Sequence, residues 1–162
     1  VTAGTGDYSE EDAGRFDAEV LHGAFDVQIA CRGGAALSLG MGRWHEYPLE
    51  PVRAYTAPFR ARGETISILA GVNARLLRDG PVDRIVHTVK RFVDAFGRDH
   101  RLTIWLANVP ADAPAEHVHA AVAAAHAYGR LPLPDNLDDV EVPLPKRETF
   151  QEWKRHRGEA PA

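Results

Sequence analysis

Residues 64–128 decide the fold of this chain, and they read ETISILAGVNARLLRDGPVDRIVHTVKRFVDAFGRDHRLTIWLANVPADAPAEHVHAAVAAAHAY. The short apolar run at residues 65–69 is rich in β-branched residues and suits a strand that is covered on both faces. Residues 102–106 are predicted to form the next strand. Each run is predicted to be followed by a loop, and each loop by a longer segment with helical periodicity. The order strand, helix, strand, helix predicts a βαβα unit, whose usual setting is a parallel sheet with helices packed outside it.

The first helix of this unit is marked by apolar residues on one helical face, with the charged residues largely outside that face. The apolar positions are Val82, Ile85, Val86, Val89, Phe92, Val93 and Phe96. Pro81 suits the first turn of a helix, and Gly97 suits its end. A second helix is predicted over residues 115–128, opened by Pro114 and closed by Gly129.

The residues that precede this unit give weaker signals. A helix is predicted to end near Gly23, and a strand is predicted to follow it over residues 25–30. Residues 35–47 contain several glycines and are predicted to be irregular. A further helix is predicted over residues 51–62, and Pro58 is expected to kink it or end it early.

These elements give a simple domain organisation. Strands that begin near residues 26, 65 and 102, each followed by helical material, predict consecutive right-handed βαβ units. We therefore divide the chain into a flexible arm over residues 1–9, a domain of βα units over residues 10–129 and an extended proline-rich tail over residues 130–162, with a short helix near residues 148–157.

Composition excludes several classes of protein. At 162 residues the chain is one domain or a piece of one, and its net charge of −4 gives no basic surface for nucleic acid. No apolar run is long enough to span a membrane, and the first residues lack a signal-peptide pattern. Cys31 is the single cysteine, so an internal disulfide is excluded and a cytoplasmic location is expected.

A series of short motifs resembles the late part of the uroporphyrinogen decarboxylase family, roughly from Phe25 to Gly129. The motifs, in order, are Ile66–Gly71, Asn73, Leu76-Leu77, Gly80, a helix ending in Asp94–Gly97, and the run from Pro110 to Val118. The resemblance implies a partial TIM-type barrel of about three C-terminal βα units, with a site at the carboxyl ends of the strands. It also implies a carboxy-lyase reaction on an acidic, tetrapyrrole-like substrate without a cofactor.

The chain departs from the family at two points. The decarboxylases place a histidine after the last strand, whereas here residues 106–110 contain none and Asn108 lies nearest its place. An asparagine donates hydrogen bonds but does not carry a proton at neutral pH. The methyltransferase branch of the family binds zinc through thiols and imidazoles, and residues 70–72 and 107–109 hold neither, so we expect no metal. A methyltransferase-type relative that lacks the zinc ligands is a further alternative.

Five residues are candidates for binding the substrate. Arg32 follows a predicted strand and would face an acidic ligand, the alternative being a surface charge. Arg43 and His45 belong to a polar, aromatic stretch that would line a pocket, unless its aromatic residues simply cover the core. Asn73 occupies the family's loop position, where it would contact ligand or cap the next turn, and Asn108 is the fifth candidate.

Three histidines, His117, His119 and His126, lie on the last predicted helix. None is four residues from another, which is the spacing that metal sites on one helix use. We therefore expect solvated or packing histidines, with ligand binding as the alternative.

Two functions of different classes follow. In the first, the chain is the C-terminal part of a decarboxylase whose site is completed by residues it lacks. In the second, it is a non-catalytic partial-barrel module for assembly or binding. A partial parallel sheet leaves strand edges and an apolar face in water, so we expect a homo-oligomer, or association with the missing barrel half.

Overall fold

The structure is a computed structural model that describes residues 18–31, 36–39, 49–106 and 108–145, together with Glu152 and Arg155. These residues form a mixed α/β fold. In chain order its elements are α1 Ala18–Cys31, β1 Ala36–Leu39, α2 Leu49–Ala61, β2 Ser67–Val72, α3 Ala74–Asp79, α4 Val82–Phe96, β3 Arg101–Leu106 and α5 Ala115–Tyr128. A short 3₁₀ turn follows at Leu137–Asp139.

The strands form one parallel sheet in the order β1-β2-β3. Ala70 of β2 pairs with Leu39 on one side and with Ile104 on the other. The parallel arrangement predicted for the segments around Ile66 and Ile104 is confirmed. Consecutive strands are therefore neighbours, joined by connections that contain the helices.

One face of the sheet carries the hydrophobic core. On β2 the core residues are Ile68, Ala70 and Val72, all fully buried, and on β3 they are Leu102, Ile104 and Leu106. Residues of α1, α2, α4 and α5 pack against this face. The contacts of α4 are made by the predicted stripe, whose buried members are Ile85, Val89, Phe92, Val93 and Phe96. The amphipathic pattern of α4 is thus confirmed.

The opposite face of the sheet has a different character. It carries Ser67, Leu69 and Gly71 of β2, which pair in register with Arg101, Thr103 and Trp105 of β3. Among the described residues, none of these six belongs to either hydrophobic core. Arg101 and Thr103 are exposed. The hydrophobic cores that the described helices form therefore lie on one side of the sheet. On the other side, which we call the uncovered face, Gly71 and the Nε1 of Trp105 are nevertheless buried.

The strand predicted over residues 25–30 is wrong, because these residues lie inside α1. Phe25 is fully buried and Ile29 is partly buried against the same core, whereas Val27 between them is 53% exposed. Phe25 and Ile29 are four residues apart and share one helical face, so the burial follows the period of a helix rather than that of a strand.

The strand that completes the sheet is β1, which lies within the stretch predicted to be irregular. The helix predicted over residues 51–62 is confirmed as α2, but Pro58 does not end it. Pro58 has no N–H to donate to the carbonyl of Ala54, and both residues are exposed, so this carbonyl is not cut off from solvent inside the core. Helix α3 occupies a segment that was predicted to be loop.

The tail packs on the helices through part of its length. Leu137 is buried in the core of α4 and α5, and Lys90 of α4 forms an ion pair with Asp138. Arg98 donates hydrogen bonds to the carbonyls of Pro134 and Asp135. The predicted arm at residues 1–9 lies outside the described residues, as does the predicted helix at 148–157 apart from Glu152 and Arg155.

Candidate functional site

The loops that follow β2 and β3 leave the sheet at the same edge. Val72, the last residue of β2, pairs with Leu106, the last residue of β3. Asn73 follows the first strand directly, and Asn108 comes two residues after the second. Ligand sites of parallel sheets form at the carboxyl ends of the strands, so this edge is the first candidate site.

Asn73 is held in place by the start of α3. Its side chain is buried, with 4% exposure, and its Oδ1 accepts a hydrogen bond of 2.8 Å from the backbone N–H of Arg75. This is the N-cap contact of α3, which fills one of the donors that a helix leaves free in its first turn. Of the two roles considered for Asn73, capping is therefore present in the structure.

Asn108 has a conformational reason to be where it is. Its φ of 48° places it in the left-handed region, which asparagine tolerates better than most other residues. The residue is exposed, so its amide lies at the surface of the carboxyl edge. The other three candidates, Arg32, Arg43 and His45, lie outside the described residues, and their binding roles stay predictions.

Charged side chains at the same edge come from α3, which sequence reasoning missed. Arg78 donates to both carboxylate oxygens of Asp79, at 2.7 and 3.0 Å, and Arg75 lies 3.7 Å from the same carboxylate. Hydrogen bonding to Asp79 raises the pKa of the Arg78 guanidinium. These groups are exposed and lie next to the strand ends, and the charge of Asp112 also acts on Arg78.

The histidines of α5 separate into two groups. The Nδ1 of His117 donates a 2.9 Å hydrogen bond to the carbonyl of Leu77, near the end of α3, and its ring lies against Gly80. His119 and His126 are exposed. His117 is thus a packing histidine, as expected for this group. Within the part of the chain that the structure describes, no cluster of three metal-ligating side chains occurs.

A second candidate region lies on the helix side of the sheet. It is a cavity of about 630 Å³ between α4, β3 and α5. Leu102, Ile104 and Leu106 form its floor, and α5 forms one wall through small residues, Ala121 and Ala125. Sequence reasoning missed this cavity. The sequence feature that indicates it is the alanine-rich face of α5, because small side chains on a helix leave space between that helix and the strand beneath it.

His100 lies at one end of this cavity and its Nδ1 is buried without a hydrogen-bond partner in the described structure. Burial lowers the pKa of His100, since removal from water disfavours the charged imidazole. Asp99 acts in the opposite direction and Arg60 reinforces the effect of burial. Those two residues form an ion pair of 3.0 Å with each other.

No family model, curated protein or solved structure matches this chain. The resemblance to the uroporphyrinogen decarboxylases accordingly stays a prediction. None of the described helices has both the length and the apolar character needed to span a bilayer.

Proposed function

We propose that this chain is a partial βα-barrel that works as an assembly module: a second copy completes its sheet. The single observation that carries the proposal is the one-sided coverage of the sheet by the described helices. Parallel sheets are normally covered on both faces, because their crossover helices or the interior of a barrel exclude water from them. Here Thr103 is exposed on the uncovered side, and Leu69 and Trp105 are only partly buried.

The strand order supports the barrel form of this proposal. Three consecutive parallel strands with their helices on one side are what successive right-handed βα units produce. In a barrel the other side faces the interior, where side chains from all strands fill the space. On this interpretation the chain contributes about three C-terminal units, and the interior lacks the side chains of the remaining strands.

The edge of the sheet supports association as well. Among the described residues β3 is an edge strand, and its sequence RLTIWL has one charge, Arg101, at its first position. Edge strands that stay unpaired are usually protected by a central lysine, a proline or a bulge. The interior of β3 has no lysine or proline. Its free N–H and C=O groups would accept a strand of the second copy.

Light scattering coupled to size exclusion tests the proposal over a range of protein concentrations. Wild type is expected to give an oligomeric mass that falls on dilution. Thr103→Lys places a charge at the centre of the edge strand on the uncovered side, and it should give a monomer at all concentrations. Ala57→Lys adds the same charge on an exposed position of α2 and should behave as wild type. A monodisperse wild-type monomer would overturn the proposal.

The decarboxylase hypothesis is the second candidate, and the carboxyl edge of the sheet favours it. Asn73, Asn108 and the arginines of α3 lie where a barrel enzyme binds its substrate, and cations suit a carboxylated one. A porphyrinogen analogue titrated into a variant with Trp44→Phe and Trp153→Phe would report on Trp105 alone. A saturable change in fluorescence, weakened by Arg78→Gln, supports binding. No change at high analogue concentration retires the tetrapyrrole substrate.

A further inference from the structure

The cavity between α4, β3 and α5 has the shape of a groove with unlike ends. It follows β3 from Arg101 to Leu106, a length of about 17 Å at the rise of an extended strand. The side chains along it are almost all apolar, and they come from the strand floor, from Val93 of α4 and from Val122 of α5. A volume of about 630 Å³ lies within the range of small-molecule sites.

Ionisable residues are confined to one end of the groove, and all of them are basic. His100 and Arg101 lie there at the start of β3. Because α5 runs back along the sheet after β3, its last turn returns to the same end and adds His126. Among the described residues that line the groove, none is an aspartate or a glutamate. By strand alternation the side chain of Arg101 begins on the opposite face of the sheet, whereas His100 begins on the face that forms the groove.

Two further observations indicate that the groove receives a ligand. Val122 and Leu131 both line the groove, and they are 44% and 79% exposed. Covering such large apolar side chains with a ligand would be favourable, because it removes apolar surface from water. The buried Nδ1 of His100 has no partner in the described structure. A buried imidazole nitrogen without a hydrogen bond is costly, and a ligand oxygen would satisfy it.

We propose that this groove binds an amphipathic carboxylate, with its apolar chain along β3 and its carboxylate between His100 and His126. This site is separate from the sheet edge and the uncovered face on which the proposed assembly rests. The apolar chain would cover Leu102, Ile104 and Leu106, which are only partly buried. The imidazoles would donate hydrogen bonds to the carboxylate, which are stronger than bonds to a neutral head group.

Isothermal titration with dodecanoate, below its micelle concentration, tests this site against dodecanol as the uncharged probe of the same length. We expect one dodecanoate per chain and affinity roughly tenfold greater than for dodecanol, the effect of one charge-assisted hydrogen bond. His100→Gln combined with His126→Gln should remove that difference and leave dodecanol binding unchanged. Ala125→Phe fills the groove and should abolish binding of both probes.

Controls keep the outcome specific. Arg53→Gln removes a charge from an exposed position of α2 that does not line the groove and should bind like wild type. Thr103→Lys lies on the opposite face, so unchanged dodecanoate binding by this variant shows the groove to be independent of assembly. Equal affinity for the two probes, or dodecanoate binding that survives Ala125→Phe in a variant with wild-type thermal stability, overturns the proposal.

Discussion

Gly80 and His117 set the packing between the turn after α3 and helix α5. The φ of Gly80 is 65° and its ψ is −151°, a combination that is almost restricted to glycine. A Cβ added there would lie 2.5 Å from Cε1 of His117, which is bonded to the carbonyl of Leu77 and has little freedom to move. Position 80 therefore requires glycine for two separate reasons, backbone conformation and space.

Gly80→Ala is expected to lower the free energy of unfolding by about 3 kcal/mol or more, from backbone strain and overpacking together. Gly63→Ala is the matched comparison, because Gly63 also has a positive φ, 72°, but open space where a Cβ would lie. It should cost about 1–2 kcal/mol from conformation alone. Urea unfolding measures both values, and equal losses would show that the contact with His117 contributes nothing.

His100 should make the stability of the chain depend on pH. Its pKa is lowered in the folded state by burial, so below its ordinary value of 6.5 the unfolded chain binds more protons than the folded one. The free energy of unfolding is therefore not reduced by His100 well above pH 6.5, and it declines through protonation of the unfolded chain as the pH falls below that value. Asp99 weakens this effect, and Arg60 strengthens it.

The measurement is the melting temperature at pH 7.5 and at pH 5. His100→Gln should lose less on acidification than wild type, because glutamine does not titrate. His119→Gln removes an exposed histidine and should keep the wild-type loss. If both variants lose as much as wild type, burial of His100 does not control the response.

At the scale of elements, the short helix α3 depends on its cap. A helix of six residues gains little from its own hydrogen bonds, so the contact between Asn73 and Arg75 matters to it. Asn73→Ala is expected to lower the free energy of unfolding by about 1 kcal/mol, and Asn73→Asp should retain most of the stability because aspartate also caps. If urea unfolding shows the same free energy of unfolding for Asn73→Ala as for wild type, capping is not the role of Asn73, and ligand binding is the better explanation of why an asparagine occurs there.

The elements that sequence predicted well are those with a single consistent pattern. Helix α4 was predictable because it has seven apolar residues on one face. The start and end of helix α5 were predictable because it lies between Pro114 and Gly129. The prediction for the α1 residues was wrong because Val27 and Ile29 are two residues apart, which is the spacing of apolar residues on one face of a strand. The two residues differ in burial, since Val27 is exposed and Ile29 is partly buried. This difference depends on tertiary packing against α2, which the local sequence does not specify.

The candidate sites were predictable to a smaller extent. The positions of Asn73 and Asn108 after adjacent strands followed from the order of the elements, since parallel strands end at the same edge. The groove between α4, β3 and α5 could not be predicted in this way, because a cavity depends on how three elements pack together and not on the sequence of any one of them. The arginines of α3 were missed for a simpler reason, since their helix was taken as a loop.

At the scale of the whole molecule, the described structure has its hydrophobic cores on one face of the sheet. Helices α1, α2, α4 and α5 bury one face of the sheet, and the opposite face and the β3 edge are where a second layer or further strands would normally lie. The assembly proposal and the groove proposal concern different sides of β3. A measurement that resolves individual residues of this strand tests where association takes place.

Amide hydrogen exchange along β3 provides that measurement. The N–H of Arg101 donates to Ile66 of the neighbouring segment, and by alternation those of Thr103 and Trp105 also bond to β2. The N–H groups of Leu102, Ile104 and Leu106 point to the free edge. In dilute protein we expect the edge group to exchange fast and the other group slowly.

In concentrated wild-type protein the edge group should become protected as well, because the strand of a second copy would accept those hydrogen bonds. Thr103→Lys should keep the alternating pattern at every concentration, and Ala57→Lys should follow wild type. If wild type associates while the alternation persists, the contact is made by the uncovered face rather than by the edge, and sheet completion by a second copy is wrong.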